Sequence, residues 1–175
     1  MKIFAILSML AVICATNSNA EPVESNQTAQ NGVNIKVYTD EFADRQEYNA
    51  PSVAFKVDEF PVESKVLFYR IREGGKLSPI VVNFMVIYPG DWSRYDKVVF
   101  KGGEEAEFHE IERKVMDCSM SECVYMERFA IGITPNQITK YSEDGEIKVQ
   151  IRALDSKSTI ISLPTANFEA LNALK

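Results

Sequence analysis

Two cysteines, one histidine and one acid set in an apolar run are the residues whose type and spacing could do chemistry. Cys118 and Cys123 stand with four residues between them, at the junction of two stretches that read as strands. Redox-active dithiols favour two intervening residues at a helix start, so this spacing points to a structural disulfide clamping a β-hairpin. His109 is the only histidine, and on a strand it shares a face with Glu105 and Glu107. A zinc site wants more nitrogen or sulfur ligands than one imidazole supplies, so no metal is assigned. The rest of the family of nucleophile chemistry is equally thin: no Gly-x-Ser-x-Gly elbow accompanies that histidine, and Gly74-Gly75 and Gly102-Gly103 lack the spacing and lysine of a phosphate loop. No cofactor and no catalytic residue is assigned. A hydrolase using carboxylates, or a metal near His109, is the enzymatic alternative.

Among the acids, Glu127 is the exception. Residues 123–133 alternate, with Cys123, Tyr125, Glu127, Phe129, Ile131 and Ile133 on one face and Val124, Met126, Arg128 and Ala130 on the other. A carboxylate on the apolar side must be partnered, and Arg113 on the facing strand is the available cation, which makes a buried structural ion pair; the competing role is a titrating acid in a pocket. The turn over residues 89–96 carries the only tryptophan. Trp92, Arg94 and Tyr95 there form either a plug over one end of the core or a surface that meets a protein partner or a small ligand.

The elements that position these residues begin after a leader. Met1-Lys2, an apolar run of about 13 residues and a polar stretch with Ser18 and Ala20 at the cleavage subsites read as a secretory signal peptide, cut after Ala20; the run is short of the ~20 residues a membrane span needs. Cys14 leaves with it; lipid attachment at Cys14 is the alternative, disfavoured by the bulky Ile13 before it, where such sites usually have a small residue. An even cysteine pair then remains in a chain bound for an oxidising compartment, periplasmic or secreted. Removing Lys2 leaves 18 basic and 25 acidic residues, a net charge of −7. That balance argues against nucleic acid or an anionic membrane surface as partner.

Residues 21–32 are polar and without periodicity, a disordered tail. A single domain follows over residues 33–175. Residues 33–38 alternate as a first strand, residues 40–51 are a charged connection, and residues 53–57 start a second strand. A double glycine at 74–75 separates two apolar runs as a hairpin, and residues 80–88 are apolar almost throughout, the pattern of a strand covered on both faces. Residues 97–100 give a further strand. Residues 104–118 satisfy two patterns: Phe108, Ile111, Val115 and Cys118 fit a helical face, but the flanking strands and the need to pair residues 123–133 favour strand. Thr134-Pro135 opens one or two helical turns. Residues 147–153 and 159–163 make a hairpin, and Phe168, Leu171 and Leu174 share one face of a short closing helix.

The order of a Trp92 to Tyr95 turn, a strand and Gly102-Gly103, a cysteine-flanked hairpin, a strand ending near Gly132, a Gly145 turn into a hairpin and an apolar C-terminal helix resembles a group of uncharacterised exported proteobacterial proteins, over roughly residues 80–174. The resemblance carries no activity. The fold class expected is mainly β, a single β-sandwich of about seven to nine strands with immunoglobulin-like packing and a short C-terminal helix. The function expected is a non-catalytic binding or interaction module of the bacterial cell envelope, one that regulates or inhibits another exported protein through Trp92, Arg94, Tyr95 and the loop at 119–122. A structural envelope component is the remaining class.

Overall fold

The computed structural model describes residues 21–57, 60–119 and 122–174. The leader over residues 1–20, with Cys14 and the cleavage point, lies outside the described residues. Along the chain run β1 (Val23–Thr28), β2 (Asn34–Asp40), β3 (Arg45–Phe55), β4 (Ser64–Glu73), the two-residue β5 (Lys76–Leu77), β6 (Ile80–Gly90), β7 (Tyr95–Phe100), β8 (Phe108–Cys118), β9 (Cys123–Ile133), α1 (Pro135–Tyr141), β10 (Ser142–Glu143), β11 (Glu146–Ala153), β12 (Ser158–Pro164) and α2 (Thr165–Asn172). The protein is mainly β, a sandwich of two sheets with a short C-terminal helix. Eight strands form the larger sheet in the order β1-β2-β3-β4-β6-β9-β8, with β5 on β4; the smaller has β11 between β12 on one side and β7 and β10 on the other.

Alternation builds the core. Ile35 and Val37, Val66 and Phe68, Val82, Phe84 and Val86, and Phe129 and Ile131 point inward from the larger sheet, and meet Val98, Phe100, Ile147, Val149, Ile151 and Leu163 from the smaller one. On β6, Ile87 and Asn83 are buried on the opposite face too, in keeping with a strand set between β4 and β9. Helix α2 closes one side: Phe168 meets Phe68 edge to face at 5.4 Å. Helix α1 starts as its sequence predicts, with Thr134 accepting from the Gln137 backbone N–H and the Gln137 side chain accepting from Thr134 N–H.

Three expectations need correction. Residues 23–28 are not a tail but strand β1, paired with β2 in register from Val23↔Thr39 to Thr28↔Asn34. Every residue of β1 is exposed, so its stability comes from the backbone ladder and contacts such as Lys36 Nζ to Glu24 at 3.1 Å, neither of which leaves a hydrophobic period. Residues 45–50 belong to β3 rather than to a charged connection, because Tyr48 and Ala50 face the core between polar neighbours. The described strands number twelve, more than expected, two of them only two residues long. Residues 108–118 are strand, and bulges between Glu110 and Glu112 and between Val115 and Asp117 break the period of two. Those extra residues are why the segment also fits a helical spacing.

Candidate functional site

The site grows from one end of the larger sheet, where β6, β9 and β8 lie side by side. Register places Tyr88 across from Tyr125, Gly90 across from Cys123, and Arg113 across from Glu127. Glu127 keeps the inward parity of its strand and is 1% exposed. Its Oε1 accepts from the Arg94 backbone N–H at 2.8 Å and from the Tyr88 hydroxyl. Its Oε2 accepts from the Tyr95 backbone N–H at 3.0 Å and from Arg113 Nε at 3.0 Å. The ion pair with Arg113 is therefore present, and Arg113 also reaches Glu110 at 2.8 Å. A buried carboxylate so supplied is tolerated because each oxygen is satisfied twice.

The donors around Glu127 fix the turn that follows β6. The Tyr88 hydroxyl accepts from Ser93 N–H at 3.0 Å while donating to Glu127, and burial followed by that hydrogen bond raises its pKa above the ordinary 10.0. Lys157 Nζ lies 3.4 Å from the Ser93 hydroxyl and 5.8 Å from the centre of the Tyr88 ring. Held this way, Arg94 is exposed with φ 57°, in the left-handed region where a non-glycine residue is strained. Trp92 lies half-buried with its ring 4.5 Å from that of Tyr125, a position between the plug and the free surface.

Tyr95 does not join that surface. It is 1% exposed, the first residue of β7, with its ring 5.9 Å from Tyr88 and 5.7 Å from Phe129. Its side chain belongs to the core, because β7 begins at this residue and turns it between the sheets. In its place the structure adds Arg113 and Leu154, which sequence reasoning did not put on the rim. Trp92, Arg94, Arg113 and Leu154 enclose a concavity of about 360 Å³, and Leu154 is 65% exposed. Leu154 N–H donates to the Arg94 carbonyl at 3.2 Å, so the two walls are joined by backbone. The available signal was a lone leucine between the strand ending at Ala153 and the turn that follows.

Cys118 and Cys123 form a disulfide, with Cα atoms 4.0 Å apart. Because Cys123 pairs with Gly90, the hairpin tip and the Trp92 turn share one end of the sheet. Ser119 N–H donates to the Glu122 carbonyl at 3.0 Å; residues 120 and 121 of that loop lie outside the described residues. His109 is exposed, 3.4 Å from Glu107, while Glu105 instead pairs with Lys97 at 3.3 Å. Among the described residues no group of three or more His, Cys, Asp or Glu side chains converges as a metal site would require, and no helix is long and apolar enough to cross a membrane. What the rim can do chemically is recognise: two guanidinium groups, an indole and an aliphatic side chain face one hollow. No protein-family model matches the chain, and no curated protein or solved structure matches it.

Proposed function

We propose that the chain is a non-catalytic exported binding module of the bacterial cell envelope, which regulates or inhibits another exported protein by docking it on the rim of Trp92, Arg94, Arg113 and Leu154. One observation carries this reading: Glu127 spends two of its hydrogen bonds holding Arg94 and Tyr95 backbone, and so keeps an exposed arginine in a strained left-handed conformation. Strain of that kind persists only where surrounding structure imposes it, and it concentrates at sites of function. The disulfide supports the oxidising compartment. Tryptophan and arginine are the residues most enriched where partners bind tightly.

The partner's chemistry follows from the hollow. In a chain of net charge −6, the rim gathers Arg94 and Arg113, with Lys157 close by. Arg113 is already paired with Glu127 and Glu110, so a segment offering a carboxylate to the Arg94 guanidinium and an apolar side chain to Trp92 and Leu154 fits it.

The test compares three forms of the oxidised mature chain, residues 21–175, immobilised against an envelope extract of its own source. The native form captures a stoichiometric protein partner. Arg94→Glu and Arg94→Gly each weaken that capture at least tenfold, about 1.4 kcal/mol. Arg94→Gly also leaves the protein as stable or up to about 1 kcal/mol more stable, because glycine adopts a positive φ without steric cost. Retention of the partner by both variants would exclude the rim as the docking surface.

A further inference from the structure

The far side of the molecule carries a second concavity, on the outer face of β1, β2 and β3, at the sheet edge opposite β8. It is an open concavity of about 810 Å³, comparable in volume to small-ligand sites. Its groups come from the parity that faces away from the core. Asn34, Lys36 and Tyr38 follow at alternate positions of β2, about 7 Å apart; Asn49 and Glu47 stand directly across on β3, and Asn26 across on β1. Leu67 on β4 gives the floor an apolar patch.

We propose that this cleft binds a neutral glycan. Its charges are already matched: Lys36 pairs with Glu24 at 3.1 Å, and Glu47 with Arg45 at 3.3 Å. A free anion or cation therefore finds no unopposed partner there. What remains on offer is amide chemistry. Asn26 makes no side-chain hydrogen bond to any described residue, Asn34 uses only its oxygen, accepting from Thr28 at 3.0 Å, and Asn49 donates one N–H to Glu47 at 3.0 Å. Planar amides present a donor and an acceptor side by side, which neighbouring hydroxyls of a sugar ring can satisfy together. The half-exposed ring of Tyr38 supplies a flat apolar surface for the C–H face of the same ring.

The cleft is also rigid before any ligand arrives. Its lip at Pro51 and Ser52 is a bulge between Ala50 and Val53, and the Pro51 carbonyl accepts from Asn167 of α2 at 2.9 Å. The turn between β1 and β2 is tied to the same helix, Asn31 donating to the Ala166 carbonyl at 2.8 Å. Polar groups fixed on a sheet lose little freedom when they bind, the condition under which shallow polar clefts reach useful affinity.

Calorimetric titration of the oxidised mature chain with maltohexaose, cellohexaose and chitohexaose, followed by amide chemical-shift mapping, tests the assignment. Saturable binding of at least one of the three is expected, with shifts confined to residues 26, 34–38 and 47–52. Asn49→Ala and Tyr38→Ala each weaken it at least tenfold with cooperative unfolding retained, whereas Arg94→Glu binds as the native chain does. The proposal is overturned if none of the three hexasaccharides binds saturably at millimolar concentration, if the shifts fall on another surface, or if Asn49→Ala binds undiminished. Because the Arg94 variant leaves this cleft untouched, failure here is distinct from failure of the rim.

Discussion

Glu127 concentrates four donors on one carboxylate, two from backbone of the turn, one from Tyr88 and one from Arg113. Replacing it by glutamine keeps the volume but aims an NH2 group at donors and leaves Arg113 without its buried counterion. Glu127→Gln is expected to cost about 3 kcal/mol, read from the shift of the urea midpoint at unchanged slope. An effect below about 1 kcal/mol would show that the turn does not depend on it. The inward turn of Glu127 was legible from strict alternation over 123–133, and with it the need for a cation on the facing strand; that the cation directly opposite is Arg113 depends on the bulge between Val115 and Asp117, since unbroken pairing from Cys118↔Cys123 would set Lys114 there. Tyr95 was not legible. The stretch from Tyr95 to Phe100 has two polar residues in succession and then three buried ones, so its inward parity shows only once the smaller sheet is present. Nor does an arginine announce a positive φ at residue 94; that conformation comes from the tertiary hydrogen bonds around it.

At the scale of elements, the disulfide closes a loop of about six residues, for which chain entropy gives about 2 kcal/mol. Replacing Cys118 and Cys123 together by serine should lower stability by about that amount and leave the β6–β9 register intact, since its ladder runs from Ile80↔Ile133 through to Gly90↔Cys123. Glu104 fastens the segment before β8 to α1, accepting from Lys140 Nζ at 2.5 Å, from the Tyr141 hydroxyl and from Gln137 at 3.4 Å. The lysine first, and then the tyrosine, hold its carboxyl down at about 2 against an ordinary 4.5. A carboxyl lowered in the folded state stabilises fully above its unfolded value, and that contribution is lost as pH falls from 4.5 toward 2. Thermal melts across that window should fall less steeply for Glu104→Gln than for the native chain; parallel curves would show that the contact does not outlast solvent competition. Helix α1 was readable from Thr134 and Pro135, because caps act through local chemistry; the reciprocal bond of Gln137 completes the cap in the structure. Strand β1 was not, because a strand exposed on both faces owes its existence to its neighbour rather than to its own side chains.

For the molecule as a whole, a sandwich was legible in many short alternating runs separated by glycine pairs and charged turns. Which strand joins which sheet was not, because that depends on partners far apart in sequence. Strand β7 is the clearest case: β6 and β8, its neighbours along the chain, lie in the larger sheet, while β7 pairs with β11, Phe100 opposite Val149. This exchange sets a clock. As the chain is delivered from its N-terminus, β1 to β4 can zip between sequence neighbours, and β6 can join them at once. One edge of β7 can be tied locally, Phe100 N–H donating to the Glu104 carbonyl and Ala106 N–H to that of Val98, but its other edge waits until residues 146–153 arrive, and the apolar face of the larger sheet stays open for the same interval. Until then the open apolar face is exposed to proteases and to other unfinished chains, so the place of β11 in the sequence bears on that interval as well as on the final fold.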